Sequence, residues 1–247
     1  MNIFNTHIEF TPEVFRRTIE EYISNKQRAY VCVIDASVIS RVQTDINFRN
    51  IVNNANINTC DGSSIAMLVN KIYSTNYQAY NGPEIFEHYI ELPYKHLLIG
   101  NTIEKVNQIK NKVKSKGLSI DLHHIDVPFV PVEQFDYRSI AQQINDIQPD
   151  IIWVSLGNPK QETFMYNILP SINSGVMFGI GAAFNFYTGD LHNNKSNIGG
   201  LRFIWLERLF NEPKKQWNRV WLYLRILPKM YFEEKRKYKN QKQNKSL

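Results

Sequence analysis

The strongest constraint on the fold is a rhythm in the first two hundred residues. Six short apolar runs, Tyr30–Ile34, Ile57–Cys60, His96–Ile99, Leu118–Leu122, Ile151–Leu156 and Val176–Ile180, read as buried strands. Between them lie stretches with apolar residues at helical spacing, roughly 12–25, 38–54, 62–74, 102–115, 136–147 and 160–169. Thr11-Pro12 marks the start of the first, with proline at the first helical position. Strands that alternate with helices must be joined by right-handed crossovers into a mostly parallel sheet. The sequence therefore predicts a Rossmann-like α/β fold with helices on both faces of that sheet.

A chain of 247 residues, 43% hydrophobic with 14 Phe and 13 Tyr, can fill such a core and is not a disordered one. Residues 1–200 read as the α/β core, and 201–247 as a separate helical appendage. Formal net charge is +6, but its placement is uneven. From Arg202 to Leu247 there are 13 Lys/Arg against 4 Asp/Glu, which leaves 16 basic and 19 acidic side chains to the rest. Pro213 can open a helix carrying Trp217, Val220, Trp221, Leu224 and Leu227 on one face, which Pro228 then ends or kinks. The closing "EEKRKYKNQKQNKSL" reads as a solvated end. A basic, aromatic helix of this kind suits an anionic membrane surface; it matches no nucleic-acid-binding motif. The alternative is a helix packed on the core.

Cys32 and Cys60 fall in strand-like runs with no metal-binding spacing, which predicts two buried thiols in a reducing compartment. No run of 18 apolar residues and no leader pattern occurs, so the expected location is the cytoplasm.

Ligands of parallel α/β sheets gather at the carboxyl ends of the strands. Four stretches place polar residues there. In "VSLGNPKQE", residues 154–162, Asn158 can cap the next helix, Pro159 open it and Gln161 complete a capping box, which leaves Lys160 and Glu162 unexplained. In "NTCDGSSIAMLV", Asp61 is either an N-cap or a general base, with Gly62 giving backbone access. "GIGAAFNFYTG" has Phe184 where a dinucleotide fingerprint needs its last small residue, which argues against nicotinamide or flavin. Asp35 ends the first strand as a cap or turn residue. His123-His124 would point to opposite faces of a strand and make a poor metal pair. No D-x-D, G-x-S-x-G or P-loop is present.

In this order and spacing, "PDIIWVSLGNPKQE", "CDG", "GIGAAFNFYTG" and "WLERLFNEPKK" resemble the bacterial WecG/TagA/CpsF glycosyltransferases over nearly the whole chain. The resemblance implies an inverting transferase, free of metal and other cofactors, moving a sugar from a UDP-sugar to a polyprenyl-diphosphate-linked sugar. UDP-ManNAc or a related hexose or HexNAc is the implied donor. It implies attachment to the inner membrane face through the appendage, with a homo-oligomer left open. By the same resemblance Asp61 is the base that deprotonates the acceptor, and Gln161 bonds near the reacting sugar. Lys160 faces the sugar nucleotide, with Asp35, Gly62, Asn158 and Asn185 lining its site. Arg208, Lys215 and Arg219 supply positive charge for the leaving diphosphate.

The chain departs from the family pattern at Val33 and Asp35, where a Thr-x-Asn is usual, at Asn185, where an aspartate is usual, and at Asn193-Asn194-Lys195, where "RAP" is usual. Two other readings remain at this level: a catalytically weak sugar-nucleotide-binding subunit, and an NAD-dependent oxidoreductase on the same kind of sheet.

Overall fold

The computed structural model describes residues 1–190, 197–198, 201–202 and 213–244, with side chains over 1–190 and 225–243. A small hairpin, β1 (Asn2–Ile3) and β2 (Thr6–His7), precedes α1 (Pro12–Ser24) and β3 (Arg28–Ile34). Two helices, α2 (Ala36–Thr44) and α3 (Ile46–Asn53), lead to β4 (Ile57–Cys60). Then come α4 (Ser63–Tyr73), α5 (Gly82–Ile90), β5 (Lys95–Ile99), α6 (Ile103–Ser115) and β6 (Asp121–Ile125). The last crossovers are α7 (Tyr137–Ile147), β7 (Ile151–Val154), α8 (Lys160–Ile168), β8 (Gly175–Gly179) and α9 (Ala183–Thr188). A two-residue pair, β9 (Asn197–Ile198) and β10 (Leu201–Arg202), and the long α10 (Pro213–Asn244) follow.

Six strands form one sheet in the order β4-β3-β8-β7-β5-β6, and every pairing in it is parallel. Alternation along each strand divides the core in two. Tyr30, Cys32, Ile34, Ile152, Val154 and Met177 pack with α2, α3, α4, α7 and α8 on one face. Val31, Val33, Trp153, Val176 and Phe178 pack with α1, α5, α6 and α9 on the other. The connection leaving β3 therefore enters the first layer, and the one leaving β8, its neighbour, enters the second. Chains that part to opposite faces between adjacent strands leave a crevice at the carboxyl edge.

The sheet and its two helical layers are as the rhythm predicts, and Cys32 and Cys60 are buried free thiols. Three details differ. The single helix expected over 38–54 is two, because Asp45 takes an extended conformation and its carboxylate accepts the N–H groups of Asn47 and Phe48, both at 3.0 Å. The strand expected at Leu118–Leu122 lies at Asp121–Ile125, since pairing of His96–Ile99 with Leu122–Ile125 sets its register. A further helix, α5 at Gly82–Ile90, lies outside the helical stretches expected from the spacing.

The described part of the closing stretch, residues 233–244, is helical and not frayed, although most of its side chains with described burial are exposed. α10 continues through Pro228, and its far half is docked on the first layer. Met230 is buried there, and the buried Glu234 carboxylate accepts from the Phe4 N–H (3.3 Å) and the Tyr73 hydroxyl (2.8 Å). The Tyr238 ring lies 4.7 Å from that of Tyr73. The amino-terminal hairpin, α4 and the end of α10 are thus held in one cluster. Among the described residues no helix is long and apolar enough to cross a membrane.

Candidate active site

The carboxyl edge of the sheet brings several of the expected residues together, although the local reasons differ from those the sequence suggested. β3 ends at Ile34, and Asp35 caps α2 by accepting the Val38 N–H at 2.8 Å. One strand over, the Asp61 N–H donates to the Ile34 carbonyl at 2.9 Å, which ties the two strand ends side by side. Asp61 does not cap α4. That position belongs to Gly62, which has no side chain to offer. The Asp61 carboxylate instead accepts the N–H of Gly82, the first residue of α5, at 2.8 Å.

This contact makes α5 part of the site. Asn81 caps it through the Glu84 N–H at 3.0 Å, and the Tyr80 N–H donates to the Cys60 carbonyl at 2.8 Å. A side chain at Gly82 would stand 3.4 Å from the Ile180 carbonyl and 3.9 Å from the Asp61 carboxylate. Asp61, the head of α5 and the β8–α9 turn therefore converge. A Cβ on Gly62 would meet only ordinary contacts, one of them the Asp35 Cα at 4.0 Å. Gly62 thus sits between the two aspartates.

On the opposite flank of the same turn lies the segment 157–162. Here the capping arrangement expected from sequence is absent. Pro159 is the N-cap, after a cis peptide bond from Asn158, and the helix begins at Lys160 with no side-chain cap. Gln161 does not reach back to close a capping box. It is 5% exposed, its Oε1 accepts the Gly181 N–H at 3.1 Å, and its Nε2 donates to Glu162 Oε1 at 3.0 Å. The Gly181 carbonyl in turn accepts from the Ser155 hydroxyl at 2.6 Å. A chain of hydrogen bonds therefore runs from α8 through the β8–α9 turn to the end of β7. Gly179 leaves room for it: a Cβ there would lie 3.1 Å from Gln161 Nε2 and 2.8 Å from Met165 Cε.

Glu162, which the sequence left without a role, is the buried charge of the site. It has no exposed surface, and burial pushes its carboxyl up to about 7. Its own backbone N–H, Gln161 and Asn158 oppose that rise by favouring the ionised form, while the nearby Asp35 adds to it. Among the described residues, its second oxygen and the Asn158 amide nitrogen are both buried without a hydrogen-bond partner. They lie near enough to attract, but not in hydrogen-bond geometry. Buried polar atoms left unpaired are uncommon, and here two lie in one turn.

Lys160 points elsewhere than the strand-end turn. Its Nζ donates to the Val130 carbonyl at 3.0 Å and lies 5.2 Å from the Phe129 ring centroid, on the loop after β6. Asn185 is half-buried in α9, one turn beyond the β8–α9 corner. Arg208 lies outside the described residues, as do the side chains of Lys215 and Arg219, whose backbone is in α10. Among the described residues no three His, Cys, Asp or Glu side chains are grouped to hold a metal ion.

The chain matches the profile of the Glycosyl transferase WecG/TagA/CpsF family over residues 1–241. It belongs to that family and is a glycosyltransferase. Two relatives carry the name N-acetylglucosaminyldiphosphoundecaprenol N-acetyl-β-D-mannosaminyltransferase. The one from Bacillus subtilis is 22% identical over 205 residues, covering 81% of this chain and 78% of its own. The one from Bacillus spizizenii is 20% identical over 230 residues, covering 88% and 80%. Membership in the WecG/TagA/CpsF family places the chemistry with sugar transfer, and not with the nicotinamide oxidation that a Rossmann-like sheet also suggests.

Proposed function

We propose that the protein transfers a sugar from a UDP-sugar to a polyprenyl-diphosphate-linked sugar, with inversion and without a metal ion, in the assembly of a teichoic-acid-type or other surface polysaccharide. The acceptor class follows the two mannosaminyltransferases, whose names specify an N-acetylglucosaminyl-diphosphoundecaprenol. The observation that carries the reading is the convergence of Asp61 and Gln161 on the two flanks of the β8–α9 turn, at the crevice of a parallel sheet.

In the reaction, the acceptor hydroxyl oxygen attacks the anomeric carbon as the bond to UDP breaks. Asp61 takes the hydroxyl proton. A positioned carboxylate contributes about 10²–10⁴-fold in such a step. Its bond to the Gly82 N–H holds the carboxylate in place. Gln161 fixes the Gly181 turn under the donor sugar, with Asp35, Gly62, Asn158 and Asn185 around the nucleotide. The departing diphosphate gains charge and needs donors aimed at it. Arg208, Lys215 and Arg219 of the appendage supply them, and the same basic, aromatic segment holds the enzyme at the inner face of an anionic membrane. The missing D-x-D supports a reaction in which these side chains, not a cation, balance the diphosphate.

A thermal-shift comparison of UDP, UDP-ManNAc, UDP-GlcNAc and UDP-glucose against NAD, each with and without EDTA, tests the reading. A ligand that binds only the folded state raises its apparent stability. Uridine nucleotides are expected to stabilise the protein equally in EDTA. A response to NAD alone, or a uridine response abolished by EDTA, contradicts the proposal.

A further inference from the structure

The mechanism above uses Gln161 but leaves the buried carboxylate beside it without a task. An amide can sit either way round, and its two ends demand opposite partners. In the observed orientation the Gln161 oxygen meets an N–H donor, Gly181, and the nitrogen meets an acceptor, Glu162. Turned over, nitrogen would face the Gly181 N–H and oxygen would face a carboxylate, two mismatches in a site with almost no access to water. Gly181 sits at φ +54 in the corner that Ser155 also grips, so a lost bond there shifts the floor of the crevice. The near-contact space at Gly179 leaves the Gln161 side chain little other room.

We infer that Glu162 is a positioning residue of the transfer reaction: by accepting the Gln161 Nε2–H it fixes which way that amide points, and so where Gly181 presents the donor sugar. The groups bearing on this carboxylate are Asn158 and Gln161 in its own turn, Cys32 in β3 and Asp35 at the head of α2. Among the described residues no cation joins them. An ionised Glu162 is the stronger acceptor for Gln161, and with its carboxyl near 7 its charge changes close to neutrality. Positioning is therefore firmest above that pH. The inference rests on the proposed role of Gln161 beside the reacting sugar.

The test uses the full chain and three variants, Glu162→Gln, Glu162→Met and Gln161→Ala. Methionine fills the space without accepting the Gln161 hydrogen, and glutamine restores an acceptor without the charge. The first readout needs no ligand: the Gly181 backbone amide resonance, followed by nitrogen-15 NMR. It should titrate near pH 7 in the wild type and be flat in Glu162→Gln. The second is transfer from UDP-ManNAc to a short-chain polyprenyl-diphosphate-GlcNAc acceptor. Wild-type kcat/KM should fall as pH is lowered from about 8 to about 6, and Glu162→Gln should lose that step while keeping the pH 8 rate within about threefold. Folded Glu162→Met should lose about 10- to 100-fold, the size of effect that misplacing a reacting group produces. A folded Glu162→Met as active as wild type, or a Gly181 amide indifferent to pH in the wild type, overturns the inference. Gln161→Ala at the wild-type rate overturns the underlying role of Gln161 instead, so the two failures are distinguishable.

Discussion

Two strand-end turns, three strands apart in the sheet, each carry a carboxylate, and the two have opposite environments. After β4, Asp61 is half-buried and its carboxylate accepts a hydrogen bond from a residue 21 positions along the chain, at the head of α5. After β7, Glu162 is sealed from water, bonded to its sequence neighbour, and raised to about 7. The first has the access that a proton acceptor for substrate requires. The second has none, and in the role inferred for it acts only through the side chain it holds. Position in an α/β fold marks where chemistry happens; burial decides which carboxylate performs it and which one supports it.

The largest test of that contrast is at Asp61. Asp61→Asn keeps an acceptor for the Gly82 N–H but removes the proposed base, so kcat should fall by about 10²–10⁴-fold with thermal stability little changed. Steady-state transfer assays paired with a melting curve measure both. A melting temperature that falls as sharply as the activity makes Asp61 structural.

The next effect is on stability at Glu162. In the unfolded chain a glutamate ionises at its ordinary value near 4.5, whereas the folded protein keeps the proton up to about 7. Between those values unfolding releases a proton, so stability is greatest below about 4.5 and falls as pH rises through the folded pKa, by up to roughly 3 kcal/mol. Glu162→Gln should remove that component and leave the variant more stable than wild type at pH 8. Urea titrations at pH 5 and 8 decide it, and equal slopes for both proteins contradict the burial argument.

Gly179→Ala comes third. A Cβ there stands 2.8 Å from Met165 Cε and 3.1 Å from Gln161 Nε2, and such overpacking costs about 1–3 kcal/mol. It should also lower transfer, because it pushes on Gln161, whereas a methyl group added at Gly62 meets nothing among the described residues closer than 3.5 Å and should leave stability unchanged. The smallest effect is expected of Lys160→Ala. Its contacts are with Val130 and Phe129, worth about 1 kcal/mol together, so the donor KM should change by less than about threefold. A tenfold rise in that KM would return Lys160 to the donor site.

Much of this was legible in the sequence because it depends on short-range pattern. Ile57–Cys60 is a strand at its expected bounds, and the glycines and polar residues after the strands mark the edge where ligands belong. What the sequence concealed depends on distant partners. Nothing near Asp61 announces that it bonds to Gly82 and not to its own helix. α5 could have been found from Asn81-Gly82-Pro83-Glu84, a cap, an early proline and an acidic first turn ahead of Ile85, Phe86 and Tyr89. Glu162 stays unexplained at the level of sequence, since its burial is created by elements distant along the chain: α8 packs on β3 and β8 of the sheet and on α3. The closing run of lysines suggested a solvated end, and only the fold shows Glu234 taking the Phe4 and Tyr73 donors.

The most direct test of the two-carboxylate account is single-turnover transfer by rapid quench at pH 8, with saturating UDP-ManNAc and EDTA present. Wild type, Asp61→Asn and Glu162→Gln would be compared side by side. The account predicts that Asp61→Asn loses at least about a hundredfold while Glu162→Gln stays within about threefold of wild type. An Asp61→Asn enzyme at the wild-type rate, or two variants that fall together, would contradict it.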